Sequence, residues 1–328
     1  MSNPVARRVT VKVLRQVNSN LFDISRRSFI KAAAPFALGL STIARGQMPV
    51  ERGRFSEDDV PLAREHLMKL LNEERTHLGL SGLELDEVAC KVATAHALDM
   101  ITGGFLSHWG TDGRKPYHRY SFAGGIDATQ ENVGLDNNIE SVTPNNVMRE
   151  LADIHTSMYL EKPPHDGHRR AIVFPQHTHV GFGMALKDHN LRLVELYVSR
   201  YLRLDTFPRH AKRKTTVVLT GKLLNAKHFL HEVDVCYEPL PAPPDAAWLR
   251  MPRPYGLPDD FLVLRPKTPM GTFYTDRTTG DYDWEGGKFR VPARLYKDAP
   301  GIYTIVFWIR RVPDEKVFPV TGICIMSD

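Results

Sequence analysis

Apolar positions recur at helical spacing twice in the first half of the chain. Leu62, Leu67, Leu70 and Leu71 form one such series, running to about His77. Ser56 followed by Asp59 reads as a capping box at its start, and Gly79 and Gly82 interrupt the pattern beyond it. Asp86 can cap a second helix, in which Val88, Val92, Ala95 and Met100 alternate with polar positions until Gly103-Gly104. The stretch 105–144 is rich in Gly, Asp, Asn and His and reads as irregular. A third helix is predicted over 145–160. Val180–Leu186 and Leu191–Leu202 then read as strands around the turn Lys187-Asp188-His189-Asn190.

The pattern changes after Asp205. Residues 206–215 are polar and basic and read as a linker. Short β-branched or aromatic runs follow: Thr216–Leu219, Val233–Tyr237, Phe261–Leu264, Phe289–Val291, Ile302–Ile309 and Val317–Ile325. Pro239, Pro241, Pro243, Pro244, Pro252, Pro254 and Pro258 argue against helices between them. Short strands separated by turn residues predict a small all-β, immunoglobulin-like sandwich. No internal repeat is present.

Composition narrows the class. At 328 residues, the chain is long enough for two domains with separate cores. With 42% hydrophobic and 25% charged residues, it is not a disordered chain. Three Cys are too few for a disulfide-built miniprotein. No apolar run reaches the ~18 residues of a membrane span.

The net charge of +5 and a pI near 9.0 at first suggest a nucleic-acid partner. Their location removes that reading. Residues 1–46 hold eight basic residues and one acid, Asp23, so they carry +7. The remainder has 35 basic and 37 acidic residues, a balance of −2. Within the basic segment, Ser25-Arg26-Arg27-Ser28-Phe29-Ile30-Lys31 has the form of a twin-arginine signal. A short apolar stretch, Ala32 to Ala44, follows it, and Thr42, Ala44 and Gly46 are small residues suited to cleavage. The expectation is export by the twin-arginine route to the periplasm or beyond, with no membrane anchor on the mature protein. The chain divides into a signal (1–46), a linker (47–56), a first domain (57–204), a second linker (205–215) and a β domain (216–328).

Histidine marks the first domain: 11 of the 14 lie between His66 and His189. The phrases around them occur in a telling order. They are Leu71-Asn72-Glu73-Glu74-Arg75, Ala95-His96-Ala97-Leu98-Asp99-Met100, Phe105-Leu106-Ser107-His108, Glu131-Asn132-Val133 and Gly167-His168-Arg169-Arg170-Ala171-Ile172-Val173, the last leading to Val180-Gly181-Phe182-Gly183. The ordered set resembles the bacterial branch of the CAP superfamily, also called the SCP domain, over about 57–204. That family includes cysteine-rich secretory, antigen 5 and pathogenesis-related proteins.

The resemblance implies an α+β fold, an α-β-α sandwich with a mostly antiparallel sheet, and a cleft holding a His/Glu tetrad. By position, His108, Glu131 and His168 match three of its members. The fourth is a Glu on the helix before His168; Glu150, at about the right distance, is preferred to the closer Glu161. Two imidazoles and a carboxylate suit a divalent metal, zinc first. His165, His177 and His179 could add an imidazole: His165 and His168 are three apart, as on a helix face, and His177 and His179 two apart, as on a strand face.

Trp109 and Tyr117 could line the cleft or anchor a loop, and Arg119 could pair with an acid there. Cys236 and Cys324, both in predicted strands, could bridge the two sheets or remain buried thiols. Asp276, Asp281 and Asp283 lack the spacing of an EF-hand loop and read as a solvated turn. Trp248, Tyr255, Phe273, Tyr274, Tyr282 and Trp284 form either a binding face or a core.

Two functions follow. One is a binding module for an extracellular peptide, glycan or lipid. The other is a metal-dependent peptidase-, esterase- or nuclease-like hydrolase with Glu131 or Glu150 as base. Neither H-E-x-x-H nor G-x-S-x-G occurs, which favours binding.

Overall fold

A computed structural model describes residues 53–311 and 316–328; the proposed signal and its Arg26 and Arg27 lie outside them. Ser56 and Asp59 form the expected capping box, with the Ser56 N–H donating to Asp59 Oδ2 at 2.9 Å, and helix α1 (Val60–His77) follows. Leu67 and Leu71 are fully buried along it. Strand β1 (Glu84–Leu85) is short. Asp86 Oδ1 accepts from the Ala89 N–H at 2.6 Å and starts α2 (Glu87–Gly103), which ends where Gly104 turns left-handed.

The stretch expected to be irregular contains two elements, α3 (Pro116–Phe122) and β2 (Ala128–Asp136). Strand β2 was hidden because seven consecutive residues are buried, several of them polar, so neither alternation nor an apolar run marks it. Then come α4 (Pro144–Tyr159), α5 (Gly167–Ile172), β3 (His179–Lys187) and β4 (Asn190–Ser199).

Strands pair in the order β1-β3-β4-β2, which leaves β2 at an edge. The pairs β3/β4 and β2/β4 are antiparallel, with Glu131 opposite Leu196 and Asn132 opposite Glu195. One face packs under α1, α4 and α5 through Leu67, Leu151, Ile172, Phe182 and Leu193. The other face packs under α2 through Ala93, Ala97, Val133, Val194 and Leu196. Gly183 permits the close approach of α2, because a Cβ there would meet the Ala93 carbonyl carbon at 2.0 Å.

The chain then passes directly into a second unit. β5 (Leu202–Leu204) and β6 (His210–Ala211) fall in the stretch read as domain end and linker, yet both pair with later strands. The rest are β7 (Thr216–Leu223), β8 (Phe229–Pro239), β9 (Phe261–Leu264), β10 (Asp283–Glu285), β11 (Lys288–Arg294), β12 (Gly301–Arg310), β13 (Phe318–Pro319) and β14 (Ile323–Ser327). One sheet runs β10-β11-β7-β5, the other β6-β14-β12-β8-β9, with β13 on β12. Their inner faces share one core, including Leu219, Val235, Val291, Ile305 and Ile323. The prolines did not exclude helix completely: Asp245 caps a single turn, α6 (Ala246–Arg250), by accepting from Trp248 N–H at 2.7 Å.

Cys236 and Cys324 do not bridge sheets, and all three cysteines are buried thiols outside any disulfide. Both face Thr304 in register from opposite sides of β12, so they belong to one sheet. Two strand spacings put them roughly 10 Å apart, beyond the ~7 Å limit for a disulfide. Ellman titration of the denatured, unreduced protein is expected to count three thiols per chain, where a bridge would leave one.

Candidate functional site

The site begins where α2 ends. His96, on α2, is fully buried, and burial together with nearby Arg119 pushes its imidazole down to about 3. It is therefore neutral, and its Nε2–H donates to the Ser107 carbonyl at 2.7 Å. That bond fixes the turn into His108. His108 Nδ1 donates to Glu131 Oε1 at 2.9 Å, while Arg119 Nη2 donates to Glu131 Oε2 at 2.6 Å. Arg119 Nη1 also donates to the carbonyls of His108 and Arg114, both at 2.8 Å. One guanidinium thus ties α3 and the 108–114 loop to the edge strand. His108 and Glu131 are both 0% exposed.

His168 belongs to a second pair. Glu161 Oε2 accepts from the His168 backbone N–H at 3.0 Å, and Glu161 Oε1 from Nδ1 at 2.6 Å, so one carboxylate starts α5 and orients the ring. Arg75 holds the end of α5 by donating to the carbonyls of Ile172 (2.7 Å) and Phe174 (3.1 Å). Neighbouring strand residues point to opposite faces. Glu131 faces α2 and His108, whereas Asn132 faces the other layer and donates to the His168 carbonyl and to Glu195 Oε2, each at 3.2 Å. The two His–Glu pairs therefore hang from opposite faces of β2.

The carboxylate that meets His168 is Glu161. Glu150 lies elsewhere on α4, with Arg149 Nη2 at 3.1 Å from its Oε1. His165 is exposed and precedes α5, so it shares no helix face with His168. His177 precedes β3 and uses both ring nitrogens, on Ser199 Oγ (3.0 Å) and Gln130 Oε1 (2.9 Å). His179 likewise engages Thr178 Oγ1 (2.8 Å) and Arg200 Nη1 (3.1 Å). Neither offers a nitrogen to an ion.

The sequence reading missed the contribution of the second unit. The Glu131 backbone N–H, on the open side of the edge strand, donates to Tyr255 Oη at 2.9 Å across 124 residues. The Tyr255 ring stands edge-on to His108 at 4.7 Å. Trp109 meets Trp248 edge-on at 5.3 Å. Glu238 accepts from Lys115 Nζ (2.8 Å), Tyr117 Oη (3.0 Å) and His118 Nε2 (3.0 Å). Burial works to raise the Glu238 carboxyl, but the His118 N–H and the Lys115 ammonium outweigh it and hold it at about 2. Tyr117 and Trp109 are therefore anchors between the two units. No local signal marks Tyr255 or Glu238, because their partners are set by how the two units pack.

Residues 68–201 match the family model described as CAP: Cysteine-rich secretory protein family, and this part of the chain is a CAP domain. Two solved structures are similar. An outer surface protein from Borrelia burgdorferi is 19% identical, with a TM-score of 0.34; the match covers 46% of this chain and 99% of that one. An extracellular protein containing an SCP domain from Bacillus anthracis str. Ames is 18% identical, with a TM-score of 0.35, covering 45% of each chain. No curated protein matches.

Two imidazoles and a carboxylate are the donor set expected to suit zinc. Glu131 spends one oxygen on His108 and the other on Arg119, whose fixed positive charge opposes a cation there. Among the described residues, no three His, Cys, Asp or Glu side chains group so that they could hold an ion. The set does not fit a metal with three protein ligands, and no step is derived through one.

Proposed function

We propose that this chain is an exported binding protein whose CAP domain recognises an extracellular or envelope ligand (peptide, glycan or lipid) at the surface built on His108, Arg119 and Glu131. The single observation that carries the reading is the Arg119–Glu131–His108 cluster, in which the carboxylate and the imidazole are fully buried and the guanidinium is only partly exposed. Burying an ion pair costs several kcal/mol in desolvation, and apolar residues would pack the same space at least as stably. Charge kept at such a cost marks a functional candidate. His108 and Trp109 already hold the aromatic rings of Tyr255 and Trp248 edge-on, so this surface suits a ligand with flat or apolar faces. The second unit, in this proposal an immunoglobulin-like sandwich, is a binding or spacer module.

Export rests on the twin-arginine motif, the apolar stretch and the small residues after it. No described helix is long and apolar enough to cross a membrane. The hydrolytic alternative needs a carboxylate free to take a proton from water. Glu131 has both oxygens engaged and Glu150 sits against Arg149, so neither supports it.

The test is co-sedimentation of the purified mature protein with peptidoglycan and with anionic phospholipid vesicles, alongside a peptide array. One class is expected to retain the protein, with at least tenfold weaker retention of Arg119→Lys. Equal behaviour of both proteins toward every class would remove the site from recognition. Peptide, ester or nucleic-acid turnover that vanishes in His108→Ala would replace binding with hydrolysis.

A further inference from the structure

The antiparallel neighbours β8 and β9 pair directly, Cys236 opposite Phe261, yet residues 240–260 separate them. A hairpin needs only about two to five connecting residues. The excess leaves its own sheet and lies on the CAP domain. Leu249 is 3% exposed and enters the core beneath α2 alongside Ala93 and Ala97. Trp248 meets Trp109, and Tyr255 covers His108 and caps the Glu131 N–H. The Gly256 carbonyl oxygen lies 3.1 Å from Tyr117 Oη. The Ala242 carbonyl comes so close to Gly113 that a Cβ there would lie 2.4 Å from it.

This excursion has the character of a bound peptide. Beyond the one turn of α6 it is proline-punctuated: Pro252, Pro254 and Pro258 donate no backbone hydrogen bonds, and the segment projects three anchors, Trp248, Leu249 and Tyr255. A cavity of about 330 Å³ opens at the C-terminal end of α2, around Gly104, Lys187 and Arg192, but none of His108, Glu131 and His168 lines it. The space over His108 is filled by the chain itself.

We propose that residues 245–257 are an internal ligand of the CAP domain. They hold its His108 surface shut, and the external ligand is a peptide of the same kind, extended, proline-containing and anchored by aromatic and leucine side chains, that competes with them. This rests on the binding reading above and narrows its ligand to a peptide.

The test uses the full mature chain and a fluorescent synthetic peptide of residues 245–258. In anisotropy titrations, Trp248→Ala/Tyr255→Ala is expected to bind the peptide at least tenfold more tightly than wild type. A peptide with alanine in place of its tyrosine is expected to lose that gain. A folded double variant that binds no better than wild type overturns the proposal. Hydrogen exchange on the wild type gives an answer without any variant. The Glu131 amide is expected to exchange through a local opening at least tenfold more often than the slowest core amides of β4. Exchange of Glu131 only at the global unfolding rate overturns the proposal. If the 245–258 peptide binds the variant but no envelope ligand binds either protein, the binding reading fails while the internal contact stands. If an envelope glycan or lipid binds wild type with the segment still closed, the binding reading stands and this proposal falls.

Discussion

Replacing His155 with alanine is expected to cost about 3–5 kcal/mol of folding stability, the usual penalty for stranding buried charge. His155, on α4, is fully buried between two carboxylates: Nδ1 lies 2.5 Å from Glu195 Oε1 and Nε2 2.9 Å from Glu74 Oε2. Burial opposes protonation, but Glu195 and Glu74 outweigh it and hold the imidazole up at about 10. Burial would raise Glu195, yet the charge on His155 and the bonds from His155, Tyr197 and Asn132 pull it below its ordinary value.

The sign for pH follows. The folded imidazole keeps its proton far above the unfolded value of about 6.5, so its contribution is complete below that pH. It is lost as pH rises through about 10. Urea titrations of wild type and His155→Ala should show the largest gap at or below about pH 6.5 and a gap that shrinks steadily from there to about pH 10. A constant gap would mean that His155 acts by packing alone. Replacing all three members with apolar residues of similar size is expected to recover most of the loss, since no charge is then stranded.

Arg119→Ala is the second large effect, at about 3 kcal/mol or more, because it leaves the 0% exposed Glu131 with no fixed positive charge against it. Lysine is expected to recover less than half. It cannot reach Glu131 and the two carbonyls of His108 and Arg114 at once, as the planar guanidinium does. Combining Arg119→Ala with Glu131→Gln removes the charge as well as its partner. The double variant should therefore be more stable than the sum of the single losses predicts, by about 1 kcal/mol or more. Additive losses in urea unfolding would show that the pair is not coupled.

Local features were legible where local chemistry decides them. The Ser56–Asp59 box, the Asp86 cap and the Gly104 terminus bound α1 and α2 because capping involves residues within one turn. Strands β3 and β4 were legible because buried apolar residues flank a four-residue polar turn. The short helix α5 was not, because Glu161, seven residues before His168, provides its start. The same bond explains why Glu161 rather than Glu150 meets His168: the carboxylate that caps the backbone also reaches the ring.

By itself, the sequence determined the α+β CAP domain, the helices with their caps, the strand-rich second half, and the removal of the basic charge from the partner question by its confinement to 1–46. It also nominated His108, Glu131 and His168 as site candidates from 14 histidines and 38 acids, on ordered phrases. Only the tertiary structure decided what those residues touch. Glu131 and Asn132 are neighbours in sequence, but the pleat sends one to Arg119 and His108 and the other to Glu195 and His168. Only the docking of the second unit brings Tyr255 to Glu131. Such contacts depend on the relative placement of packed layers, which spacing along the chain does not encode.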